Sequence, residues 1–292
     1  MWKVYGCMDL WDFMYFRGVS PTTLTIGGEP AGEKARKTEL SDTDVNACIR
    51  PGSQKVSLFD VDEVSGNTTK CVLEKEFGPD QILFCQCDVT SEEQFKDAFQ
   101  RTVQKFGGIN IVCNNAGISN ETDWEKTVAV NLNGVIRGTY LALNHMKKEN
   151  GGRGGVIINI ASLAGIGPLP ASPVYTASKH GVMGFCRAMA MASDAAGYGV
   201  RINVMCPAYV RTALLSAASS PECSGDFYSI KHMNKKSVEI FGIMEVSDVV
   251  KAFESLVLDE SQNGTAVIVD THGFYNFKFP STEDILPRNT TE

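Results

Sequence analysis

Tyr175 and Lys179 stand four residues apart in the run Tyr175-Thr176-Ala177-Ser178-Lys179, and Ser162 lies thirteen residues before the tyrosine. On a helix, residues at that spacing share one face, with side chains in reach of each other. An ammonium beside a phenol stabilises the phenolate and draws the tyrosine pKa down from about 10 towards neutral. A phenol tuned in this way removes a proton from an alcohol near pH 7 and returns it in the reverse reaction. Ser162 follows the apolar run Val156-Ile157-Ile158-Asn159-Ile160. Its hydroxyl can donate to or accept from a substrate oxygen and so orient the reacting carbon. A Tyr–Lys pair at this spacing is common by chance. The serine, and Asn114-Asn115-Ala116-Gly117 after another apolar run, make the chemistry specific.

The elements that must carry these residues alternate. Apolar, β-favouring runs at 55–60, 81–87, 108–113, 156–161, 200–206 and 265–270 read as strands. Amphipathic stretches at 61–77, 91–106, 122–149, 174–196 and 246–258 read as helices, with Gly134 and Gly138 as weak points inside the third. Strands separated by helices imply βαβ units and a parallel sheet with helices on both faces. Ligands in such sheets bind beyond the strand C-termini, at the topological switch point. Ser162, Tyr175 and Asn114 all fall at or just after that edge.

The composition suits this reading. The 292 residues are 43% hydrophobic and 21% charged, enough for one large α/β domain or two small ones. A formal charge of −7 argues against nucleic acid or an anionic membrane as partner, and no run of 18 apolar residues would span a bilayer. The aromatic N-terminus is interrupted by Asp9, Asp12 and Arg17 and makes a poor signal peptide. Nine scattered cysteines fit a reducing, cytoplasmic setting. Cys85 and Cys87 share one face of a strand, and with no further ligands nearby they read as buried apolar residues rather than a metal site.

The stretches CDVT (87–90), NNAG (114–117), PVYTASKHG (173–181), GVRIN (199–203) and CPAYV (206–210), with Ser162, resemble the short-chain dehydrogenase/reductase family over about residues 54 to 279. The resemblance implies a single Rossmann-like domain with a doubly wound parallel sheet. It also implies NAD-dependent oxidation of a secondary alcohol on a lipid, or of another small secondary alcohol. A catalytically silent binding protein of the same fold is a third reading. In the family pattern Tyr175 is the base, Lys179 tunes it and holds the nicotinamide ribose, and Ser162 orients the alcohol. Asn131 bends its helix and holds a water of the proton relay. Asp60, with Val61 after it, takes the adenosine ribose and repels a 2′-phosphate, although an Asp there could instead cap a helix. Asp88 and Val89 contact the adenine, or Asp88 caps the next helix. Asn114 serves the cofactor at the end of its strand, Pro207 packs on the nicotinamide and Thr212 binds its carboxamide. Ser162, Ser172, Tyr175, Tyr209 and Phe241 face the substrate. A homodimer through the helices of Asn131 and Tyr175 is expected.

The departure lies upstream. The family opens with a strand, a glycine-rich turn and a helix whose N-terminus receives the pyrophosphate. Residues 1–53 contain no such run. Its nearest substitute is Gly27-Gly28-Glu29-Pro30-Ala31-Gly32, in which Glu29 would repel phosphate and Pro30 lacks an N–H. Three readings stand: a segment from a wrongly joined upstream exon, a divergent loop that still binds, or a chain that has lost cofactor affinity. Without the apolar first strand, its neighbours' ladder groups are expected to go unpaired. Residues 280–292 read as a loose, polar tail.

Overall fold

The structure, a computed structural model, describes residues 23–27 and 55–280. The expected loose tail and most of the N-terminal segment fall outside the described residues. The strands are β1 (Thr23–Gly27), β2 (Lys55–Asp60), β3 (Ile82–Gln86), β4 (Ile111–Asn114), β5 (Gly155–Ile160), β6 (Val200–Pro207), β7 (Tyr209–Val210), β8 (Ile243–Met244), β9 (Ala266–Asp270) and β10 (Gly273–Asn276). The helices are α1 (Glu63–Phe77), α2 (Glu92–Phe106), α3 (Trp124–Val128), α4 (Val135–Met146), α5 (Pro173–Ala195), α6 (Ala213–Ala217), α7 (Pro221–Ser224), α8 (Lys235–Phe241) and α9 (Val246–Leu258).

Eight strands form one sheet in the order β10-β9-β6-β5-β4-β1-β2-β3. The pairs β2–β3, β4–β5, β5–β6 and β6–β9 are parallel, and the order reverses between β1 and β4, which is the switch point. Alternate side chains of each strand enter two cores. Val56, Leu58, Val156 and Ile158 pack with Leu73 of α1 and Val250 and Phe253 of α9. Phe59, Val112 and Ile157 pack on the other face with Phe95 and Phe99 of α2, Met146 of α4 and Val182 of α5. Strands buried on both faces need apolar side chains at nearly every position, which is why these runs read as continuous rather than alternating.

One sequence expectation is corrected at β1. The flanking strands do not go unpaired: β1 bonds to both β2 and β4. It does so antiparallel, with Thr23 opposite Phe59 and Asn114 and Gly27 opposite Lys55. The chain therefore enters β1 at the sheet edge where Asp60 and Asn114 lie, and leaves it at the other edge, about 14 Å away. The short strand β10, antiparallel on β9, was not anticipated, nor were the small elements between 213 and 244.

The expected helix at 122–149 is broken into three parts. A π-helical stretch, Ala129–Gly134, separates α3 from α4 and contains Asn131. Wider turns of this kind commonly mark functional sites. Gly134 and Gly138 now have a reason. A Cβ on Gly134 would stand 2.9 Å from Val89 Cγ2, and one on Gly138 would stand 2.2 Å from Asn114 Oδ1 and 3.0 Å from Phe95 Cζ. The two glycines let this helix lie against the ends of β3 and β4. Gly138→Ala must push Asn114 or the helix aside. It is expected to destabilise the fold by about 1–3 kcal/mol, read as a lower urea midpoint at unchanged slope.

Candidate functional site

Tyr175 lies in the first turn of α5 and Lys179 one turn on, both buried. Lys179 Nζ is 5.6 Å from the Tyr175 ring centroid and donates to the carbonyl of Ile160, at the end of β5, at 2.9 Å. Ser162 follows β5, and its hydroxyl bonds the Tyr175 phenol, accepts from Ala164 N–H at 3.2 Å and donates to the Pro207 carbonyl at 3.4 Å. The sheet edge and one helix thus bring the three expected groups together.

The electrostatics differ from the expectation. Burial raises the Tyr175 pKa above its ordinary value, and the hydrogen bond from Ser162 opposes that rise. Burial pushes Lys179 down to about 8. Removal from water disfavours both charged forms, and here it outweighs the attraction of ammonium for phenolate. At neutral pH Lys179 nevertheless remains mostly protonated, so its charge is available when the phenol ionises.

Asn131 is fully buried in the π-helical stretch. Its Oδ1 accepts from Ile118 N–H at 2.8 Å, and its Nδ2 donates to the Ile118 carbonyl at 2.8 Å and to Ser178 Oγ at 3.1 Å. A Cβ on Gly117 would be 3.4 Å from Lys179 Nζ and 3.5 Å from Asn131 Oδ1, so this glycine keeps open the space between them.

A cavity of about 350 Å³ opens above the trio. Ser162, Ser172, Tyr175, Lys179, Pro207, Tyr209 and Thr212, all expected site residues, line it. Leu214, Leu215 and Val238, from the segment between β7 and β8, roof it with apolar surface. Sequence reasoning missed these; of the asparagines in the 114–117 run, Asn115 lines the cavity. Asn114 instead turns inward, 2% exposed, and donates to Asn159 Oδ1 at 2.7 Å and Thr139 Oγ1 at 3.3 Å. It ties down the strand end and sits away from the cavity. Phe241 is also not on the cavity wall. Helix α8 ends at Phe241, Gly242 turns the chain at φ 67°, and the Phe241 carbonyl accepts from Thr271.

The dinucleotide implied by the family pattern can be tested against these residues. Asp60 fits its adenosine end. Its Oδ1 accepts from Asp62 N–H at 2.9 Å, while Oδ2 is buried with no hydrogen-bond partner among the described residues. That orphaned acceptor matches a ribose hydroxyl. The alternative, that Asp60 caps α1, is excluded because Asp62 is the cap and accepts from Val64 and Ser65 N–H. Val61 beside it is exposed. Asp88 closes a local turn onto Thr90 through Oδ1, and Ser91 caps α2. Val89 is buried against Gly134, and its carbonyl accepts from Arg137. The pyrophosphate has no glycine cradle among the described residues. The run starting at Gly27 leaves β1 at the wrong edge for that role, and residues 28–32 lie outside the described residues.

The model of the short chain dehydrogenase family matches residues 45–222. The human 15-hydroxyprostaglandin dehydrogenase [NAD(+)] is 41% identical over 224 residues, covering 77% of this chain and 84% of the relative. Alcohol dehydrogenase 2 of Ceratitis cosyra is 35% identical over 188 residues, covering 63% and 69%. Among solved structures, levodione reductase superposes with a TM-score of 0.61 at 26% identity, covering 73% of this chain and 85% of that one.

The buried carboxylate of Asp60 has a pKa raised to about 6, chiefly by desolvation, against an ordinary 3.8. A raised carboxyl pKa means that ionisation costs the native state. The cost is complete above about pH 6 and disappears as pH falls below the unfolded value. Asp60→Asn is therefore expected to stabilise the ligand-free chain at pH 7 by up to about 3 kcal/mol, some two pK units at about 1.4 each. The gain should vanish near pH 3.5. Thermal unfolding at the two pH values checks this: an equal or lower midpoint for the variant at pH 7 would refute it.

Proposed function

The chain belongs to the short-chain dehydrogenase family, and from that premise we propose that it oxidises a secondary alcohol on a lipid with NAD, the 15-hydroxyl of a prostaglandin being the favoured substrate. The observation that carries this reading is the Ser162–Tyr175–Lys179 group at the floor of a largely apolar cavity. Its volume of about 350 Å³ lies within the range of small-molecule sites.

NAD, when bound, supplies the hydride acceptor. Asp60 would hold its adenosine ribose, Lys179 its nicotinamide ribose, and Pro207 and Thr212 would flank its nicotinamide. In oxidation Tyr175, once ionised to the phenolate, takes the proton of the substrate hydroxyl on Oη, and the carbinol carbon becomes a carbonyl carbon as its hydride leaves to the nicotinamide. Ser162 donates to the same oxygen and fixes the carbon for hydride loss. Lys179, still mostly charged at neutral pH and with Nζ 5.6 Å from the centre of the Tyr175 ring, stabilises the phenolate by charge attraction. Asn131 holds the main chain of Ile118 beside the lysine and supports the water path to it. Leu214, Leu215 and Val238 take the apolar part of the substrate, and Ser172 and Tyr209 stand on the walls. Exposed Tyr140 on α4 and Met191 on α5 support pairing of two copies through these helices. No helix among the described residues is long and apolar enough to cross a membrane.

Two other readings draw on specific observations. Small-alcohol oxidation draws on the likeness to Alcohol dehydrogenase 2 and on Ser172, a short side chain three residues before the tyrosine. Reduced cofactor affinity draws on the reversed direction of β1.

Tyr175→Phe is expected to lower turnover by at least about 100-fold while NADH binding, followed by its fluorescence, is kept. Substantial turnover in the variant would remove Tyr175 from its role. In parallel, the wild type should bind NADH more tightly than NADPH and prefer a prostaglandin to short secondary alcohols. A folded chain that binds neither nucleotide would overturn the enzymatic reading.

A further inference from the structure

We propose that Glu121 is a positioning residue for proton transfer at Tyr175, an assignment that rests on the dehydrogenase reading above. Helix α5 starts at Pro173, and the side chain of Ser172 makes no capping bond. Pro173 has no N–H, so Val174 and Tyr175 carry the first orphan donors of a 23-residue helix. Both go to one carboxylate. Glu121 Oε2 accepts from Val174 N–H at 2.9 Å and Oε1 from Tyr175 N–H at 3.0 Å. The acceptor comes from the loop after β4, more than fifty residues earlier. A carboxylate at a helix N-terminus is favoured by the dipole, and its hydrogen bonds are charge-assisted. The main-chain nitrogen of the proposed base is thus held by a group outside its own helix.

The loop that presents Glu121 is fixed on two further sides. Thr127 Oγ1 of α3 donates to the Asn120 carbonyl at 2.7 Å, tying the loop to the helix that leads into the π-helical stretch. Glu121 N–H donates to the Cys223 carbonyl at 2.7 Å, and Thr122 Oγ1 donates to the Glu222 carbonyl at 3.0 Å. Cys223 and Glu222 belong to α7, between the cavity-roofing residues of α6 and those of α8. One residue therefore joins the first turn of the catalytic helix, through its side chain, to the roof over the substrate, through its main chain. The position of the roof and that of the Tyr175 turn are thereby fixed through the same residue.

Removing the carboxylate leaves two N–H groups without an acceptor and frees the turn that carries Tyr175, while Ser162, Lys179 and Asp60 keep their partners. The test uses the full chain with NAD and the best alcohol found. Glu121→Ala is expected to lower kcat about 10- to 100-fold, with KM for the alcohol raised less and NADH affinity unchanged. The solvent deuterium isotope effect on kcat should increase, because a misplaced phenol makes proton transfer slower relative to other steps. Glu121→Gln keeps one acceptor and should recover part of kcat. A merely structural glutamate would lower the unfolding midpoint without moving the isotope effect. Unchanged kcat and isotope effect in folded Glu121→Ala would overturn the proposal. If the wild type oxidises no alcohol, the functional reading fails by itself, and Glu121 is judged by hydrogen exchange at residues 174–175. Faster exchange in Glu121→Ala, and less so in Glu121→Gln, then upholds the tether, and unchanged exchange refutes it.

Discussion

The carboxamide of Asn131 clasps both main-chain polar groups of Ile118, and the rest of the site is registered on that clasp. The loop after β4 has no neighbouring strand to bond, yet it is buried at the switch point of the sheet. A buried N–H or carbonyl without a partner costs about 1–3 kcal/mol, so the loop needs a side chain that both donates and accepts. Asparagine does this with one group, and its Nδ2 reaches a second acceptor in Ser178 of α5. The π-helical stretch widens the turn and aims it. Three hydrogen bonds among Asn131, Ile118 and Ser178 thus tie the loop after β4, the π-helical stretch and α5 together.

Burial then sets the charge state of the site. Tyr175 and Lys179 are both driven towards neutrality, which is the reverse of what two isolated residues on an exposed helix would do to each other. The consequence is a poised pair. A lysine at about 8 is still mostly charged at pH 7, so it supplies attraction at the moment the phenol gives up its proton. The same burial makes the resting ammonium costly, a cost that attraction to a phenolate would offset. Asp60 is the mirror image at the other end of the implied cofactor: a carboxylate that burial pushes up to about 6, with one oxygen satisfied and one not. Buried groups left in this condition mark where a ligand completes the hydrogen bonding.

Most of the fold was legible because strands buried on both faces leave continuous apolar runs, and β2 to β6 and β9 fall within a few residues of where the sequence put them. The trio of Ser162, Tyr175 and Lys179 was legible because its chemistry needs fixed residue types at fixed spacing. The roof was not. Leu214, Leu215 and Val238 sit on short helices that bury one face against a cavity rather than a core, so no long hydrophobic period announces them. Asn114 and Asn115 are indistinguishable as a dipeptide. Strand alternation decides which one enters the sheet core and which faces the cavity, and the register of β4 on β5, with Asn114 opposite Asn159, supplies that information. Glu121 was invisible for a different reason. Its partners are main-chain N–H groups more than fifty residues away, which leave no trace in residue type.

Strand β1 separates two requirements that the fold usually meets with one segment. The centre of the sheet needs hydrogen-bonding partners for β2 and β4, and either strand direction provides them, since an antiparallel ladder satisfies the same groups. Phosphate binding needs direction as well. The turn after the strand must emerge at the C-terminal edge of its neighbours, where a following helix presents its free N–H groups. In this chain β1 fills the central slot with Thr23 at that edge and Gly27 at the other, so backbone pairing is kept while the strand itself runs the opposite way. Asp60 at the end of β2 and the trio beyond β5 are held by the parallel strands on either side and do not depend on which way β1 runs. The central pairing of the sheet and the grouping of Ser162, Tyr175 and Lys179 are thus kept with no glycine cradle among the described residues.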